Sequence, residues 1–171
     1  SMAVQTVMLI AAFFGEEEIS WGSDEQRTVG LISSILIIQL VAIVGATLTA
    51  KASEKFGNIP TLIGVNALWT LICVYAYFVV SPIEFYVAAG LVGMVMGGIQ
   101  ALSRSTYSKL MPATQDTTSF FSFYDVAEKI GIVIGTFIYG ALAQSSGDLR
   151  NGIIMFGIFF LVGGLLLKRV K

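Results

Sequence analysis

The chain has 171 residues, of which 56% are hydrophobic and only 12% charged, with no histidine and a net charge of −1. A soluble domain is about a quarter charged, so this is membrane chemistry, and the near-zero charge gives a nucleic acid nothing to bind. Without histidine the His-based metal sites and hydrolase dyads drop out, and the lone Cys73 excludes a disulfide framework; the chain reads as no enzyme, with no metal or cofactor.

Residues 1–14, SMAVQTVMLIAAFF, lack the positive start and cleavage region of a signal peptide. They are also short of the roughly 20 residues that cross a bilayer. They read as the stub of a longer helix; the alternative is that Ser1 and Met2 are a non-native remnant. An acidic connector, GEEEISWGSDEQR, follows, with Trp21 placed at the membrane interface. Five uncharged or nearly uncharged runs then predict helices over 28–50, 59–80, 85–103, 119–143 and 151–167. Pro60 falls in a first turn, where proline is tolerated. The connector 51–58 ends on a Gly-Asn turn signal, and 104–118 reads as a polar loop containing Pro112. The expected fold is all-α and polytopic: six transmembrane helices, the first truncated, with no separable soluble domain.

Lys51, Lys55, Arg104, Lys109, Lys168, Arg169 and Lys171 fall on one set of connectors and the tail, against only Arg27 and Arg150 on the other. The positive-inside rule puts the C-terminus in the cytoplasm and the acidic connector outside. Gly93 with Gly97, and Gly131 with Gly135, are spaced for close helix approach. Packing and hinge bending both account for them.

Asp125, Glu128 and Lys129 stand at i, i+3 and i+4 beside a long apolar run, so they share one helical face. If that helix enters the membrane near Ser119 or Phe120, Lys129 lies about 14 Å along it, near the midplane of a hydrocarbon core about 30 Å thick. Ionisable groups at such depth face an aqueous cavity or one another. A helix starting near Phe123 would leave the three as a snorkelling turn at the interface. Gln5, Gln39, Asn66 and Gln100 are amides inside spans, fit for inter-helix hydrogen bonds or solute contact. Arg104 marks the end of its helix or pairs with Asp116 or Asp125.

The segments GGIQALSRSTYSKLMP and FFSFYDVAEKIGIVIGTFIYG together resemble the fourth and fifth helices of the C-terminal half of major facilitator superfamily transporters. The nearest branch is the unknown major facilitator family, which includes fungal vacuolar effluxers. The matching positions are Gly97, Gly98, Gln100 to Ser105, Leu110, Pro112, Phe120, Phe121, Phe123, Tyr124 and Lys129. VQTVMLIAAFFGEEEI is similar to that family's seventh helix and following loop. The superfamily's loop signature has a degenerate echo in Ala50, Glu54 and Gly57, with Lys55 after the acid; the resemblance implies a cytoplasmic latch on Glu54 and a basic partner.

The resemblance implies half of a major facilitator fold, built as two three-helix inverted repeats, with a partner half of six helices elsewhere. The first, second, fourth and fifth helices would line the cavity, raising Gln5, Gln39, Gln100, Lys129 and Tyr124 as contacts and lowering Asn66. The function implied is secondary transport of a small polar solute by alternating access. Amino-acid efflux is one form of it, with Asp125 and Glu128 as carriers if a proton couples. The expected location is the bacterial plasma membrane, and an isolated half is expected to homodimerise or hold lipid. The competing class is a self-assembling six-helix channel or scaffold; no twin-NPA or TVGYG-like segment supports a pore.

Overall fold

The computed structural model describes residues 2–112, 116–147 and 149–169. Six helices follow one another: α1 (Met2–Glu17), α2 (Asp24–Phe56), α3 (Asn58–Phe78), α4 (Pro82–Leu110), α5 (Thr117–Ser146) and α6 (Leu149–Leu167). All but α1 are long and apolar enough to cross a membrane. The helices overrun the uncharged runs at almost every end. Residues 51–56 and 104–110, expected as connector and loop, are helix. The reason is local: Ala, Lys, Glu and Ser supply no breaker, and a helix can leave hydrocarbon without stopping. At 33 residues α2 is about 50 Å long, well beyond a 30 Å core. Only at Gly57, with φ of 89°, does the chain turn sharply into α3.

Side-chain caps mark three of the starts. Ser23 Oγ accepts from the amide of Gln26 at 3.2 Å, opening α2. Ser81 and Glu84 form a reciprocal capping box ahead of α4. Asp116 caps α5 through the amide of Ser119 at 3.1 Å, so that helix begins at Thr117, earlier than either expected start. Trp21 is half-buried and packs on its neighbours. Its Nε1 donates to the carbonyl of Gly15 at 2.7 Å, and its ring meets Phe85 edge-on.

Much of the packing repeats after three helices, although the α1–α2 contact has no α4–α5 counterpart of like extent. The α2–α4 contact corresponds to α5–α1, α3–α4 to α6–α1, and α2–α3 to α5–α6, while α3 and α6 pack on each other. This is the neighbour pattern of two three-helix units. The closest approach is α2 on α4: a Cβ at Gly93 would stand 2.6 Å from the Ile38 carbonyl, and one at Gly97 2.8 Å from that of Ala42. Gly45 is tighter still, against the backbone of Met94. Helices in lipid associate by such backbone contact, since burying apolar side chains brings no gain there. Behind this seam Trp69 stacks on Phe160 at 5.1 Å, both buried, and fixes α3 to α6. The outward faces of α2 and α5 remain apolar and exposed, at Leu40, Ile43, Val133 and Phe137 among others.

Candidate solute cleft

Gly97, Gln100, Ala101 and Arg104 recur at helical spacing, so α4 presents them on one face. Gln5 from α1 and Glu128 from α5 close on that face around a polar cleft of about 420 Å³. Arg104 is its hub. The guanidinium Nη2 lies 3.1 Å from Asp125 Oδ1 and 3.9 Å from Glu128 Oε2. It also stands 6.0 Å from the centre of the Tyr124 ring. Tyr124 in turn lies 4.9 Å from the ring of Tyr107, whose hydroxyl donates to the carbonyl of Phe120 at 3.0 Å. The pairing of Arg104 with Asp125 was one of the sequence alternatives; Asp116 caps α5 instead. The two carboxylates differ in surroundings: the Glu128 side chain is 12% exposed and that of Asp125 46%. The lining offers one cation, one carboxylate and two amides, groups that can bind a small molecule carrying both charges.

The expected triplet does not stay together. Asp125 and Glu128 turn to Arg104, but Lys129 is exposed among Val126, Ile130 and Val133, outside the lining of this cleft. Successive helical residues diverge by about 100°, so Glu128 and Lys129 cannot both point at one partner. Gln39 is likewise exposed on α2, between Leu36 and Leu40. The expected latch also differs. Gly57 makes the turn, but Glu54 is exposed with no ion pair among the described residues, and Lys55 lies over the Phe56 ring at 5.3 Å. Asn58 makes the link to α4. Its Oδ1 accepts from Ser53 Oγ at 2.7 Å and Lys109 Nζ at 3.1 Å, and its Nδ2 donates to Thr106 Oγ1 at 3.2 Å. In the sequence Asn58 carries only a turn signal; nothing local marks partners 48 residues away.

At the opposite end Arg150 is a second unforeseen hub. Its Nε lies 2.8 Å from Glu18 Oε2, its Nη1 donates to the Tyr77 carbonyl at 2.8 Å, and its guanidinium lies 5.8 Å from the Phe14 ring. It ties together the end of α1, the end of α3 and the start of α6. Opposite charges on neighbouring connectors were the only sequence sign of it.

Comparison with known proteins settles the class. An MFS-type transporter, YxiO, of Bacillus subtilis is 34% identical over 157 residues, covering 88% of this chain and 35% of that protein. Autophagy-related protein 22 of Vanderwaltozyma polyspora is 30% identical over 182 residues, covering 99% of this chain and 32% of the yeast protein. The Pichia angusta protein of that name is 28% identical over 151 residues, covering 81% and 27%. No solved structure gave a significant match. A polytopic helical bundle with these relatives falls within the major facilitator class. Within that class the chain belongs to the vacuole effluxer Atg22-like family, which matches it over residues 1–171. The chain spans about a third of the length of these relatives.

Proposed function

We propose that this chain is a six-helix half of a secondary transporter that moves a small zwitterionic solute of the amino-acid class by alternating access. The observation that carries this reading is the convergence of Gln5, Gln100, Arg104 and Glu128 from three helices on one cleft. In it, Arg104 receives the solute carboxylate and Glu128 the ammonium, or a proton in exchange for it, while the amides orient the backbone of the solute. Asp125 holds the guanidinium in place. The other wall of the cavity comes from helices outside this chain, in keeping with relatives about three times its length.

The test is flux through the full-length protein in proteoliposomes. Saturable uptake and counterflow of an amino acid are expected. Arg104→Ala should lower kcat/KM about tenfold to a hundredfold, the size of a lost charged hydrogen bond, and Glu128→Gln should abolish dependence on a pH gradient. Non-saturating conductance without counterflow would favour a channel instead. The basic end, with the C-terminus, is assigned to the cytoplasm of a bacterial plasma membrane. A C-terminal tag should therefore resist protease in intact spheroplasts, and cleavage there would reverse the orientation.

A further inference from the structure

The face of α4 opposite the cleft borders a second opening. Ile99, Ser103, Thr106 and Tyr107 look into a groove of about 490 Å³ completed by α3 and α6, with Tyr124 of α5 at its edge. Its floor is buried and apolar: Leu62 at 4% exposure, Ile99 at 2% and Phe160 at 3%. Its lips, Leu110, Val162 and Leu166, are about half exposed. Two of its hydroxyls are already committed to backbone carbonyls, Thr106 to Leu102 at 2.7 Å and Tyr107 to Phe120 at 3.0 Å. Asn66 and Ser103 add an amide and a hydroxyl, but most of the lining is apolar, and a hydrocarbon chain fits it.

The rim is basic. Lys109 precedes Leu110, and Lys168 and Arg169 follow the lining residues Leu166 and Leu167; all three cations are exposed. Lys109 reaches Asn58 at the start of α3, so the ends of α4 and α6 and the start of α3 meet at this mouth. The acids at this end, Glu54 and Asp116, lie on the end of α2 and in the cap of α5; like the three cations they are not among the lining residues, but unlike them they adjoin none in sequence. An apolar slot whose lining on α4 and α6 adjoins three exposed cations in sequence, one of them also bonded to Asn58, suits one kind of occupant. We propose that the groove holds an acyl chain of an anionic phospholipid from the leaflet at the basic end, its phosphate met by Lys109, Lys168 and Arg169. The site is separate from the solute cleft and independent of what the cleft carries. The two meet at Tyr124, whose ring stands beside Arg104 on one side and edges the groove on the other.

Gly163 provides the means of testing it. Gly163 lines the groove and a Cβ there meets nothing within 4 Å, so Gly163→Leu adds apolar bulk at the groove from an unobstructed Cβ. The full-length protein is delipidated, titrated with phosphatidylglycerol or phosphatidylcholine, and read by native mass spectrometry, with thermal unfolding to confirm each variant folds. Phosphatidylglycerol should bind more tightly than phosphatidylcholine. Replacing the three cations by glutamine should weaken it about fivefold per charge and leave phosphatidylcholine unchanged. Gly163→Leu should weaken both lipids, and Leu166→Gln serves the same purpose if that variant does not fold. Equal affinity for the two lipids, or wild-type phosphatidylglycerol binding in a folded groove-filling variant, would overturn the proposal.

Discussion

Arg104 and Arg150 stand at opposite ends of the bundle and differ in burial, which separates what each does. The Arg104 side chain is 57% exposed and its partner Asp125 46%, so their ion pair adds little to stability and serves to aim the guanidinium. Arg150 is 18% exposed, pairs with Glu18 and also donates to the carbonyl of Tyr77. Charged hydrogen bonds in such surroundings are worth about 1.5–3 kcal/mol each. Arg150→Ala should therefore destabilise the protein by about 2 kcal/mol or more, and Glu18→Ala by less, because the Tyr77 carbonyl still accepts. Thermal unfolding in detergent measures both. Equal, negligible effects would mean the Arg150 clamp is ornamental.

The helices are held by backbone approach as much as by side chains. Between α2 and α4 the glycines leave no room for a methyl group: at Gly45 an added Cβ would run into the Met94 carbonyl. Overpacking of this kind costs about 1–3 kcal/mol. Gly64 and Gly140 are also helical, yet nothing lies within 4 Å of a Cβ at either. Gly45→Ala should lower the unfolding temperature, whereas Gly64→Ala and Gly140→Ala should leave it unchanged or raise it through better helix propensity. A neutral Gly45→Ala would show that α2 and α4 sit further apart than described.

The spans were legible because uncharged runs of bilayer length have few other readings, and the turn at Gly57 was marked by its own residue type. Helix ends were not, since Lys51 to Lys55 form helix as readily in water as Ile and Leu do in lipid. Within the cleft, spacing brought out Asp125 and Glu128 but grouped Lys129 with them, because i, i+3 and i+4 describes a broad face that packing then divides. Asn58 and Arg150 were hidden for a plainer reason: their roles depend on residues of distant helices. The glycine spacing on α4, by contrast, predicted close approach, and α2 fills it.

As a whole the molecule is a bundle with a polar cleft between α1, α4 and α5 and an exposed apolar exterior, and the proposed function requires solute in that cleft. Solute protection of a single cysteine tests that most directly. Ala101 is exposed and lines the cleft beside Gln100, while Ile130 is exposed on α5 outside the cleft lining. In full-length protein carrying Ala101→Cys, labelling by a hydrophilic maleimide should slow as a transported amino acid is added, with half-protection near its KM; Ile130→Cys should show no such protection. Labelling of Ala101→Cys that is indifferent to a solute the protein demonstrably carries would place the binding site elsewhere.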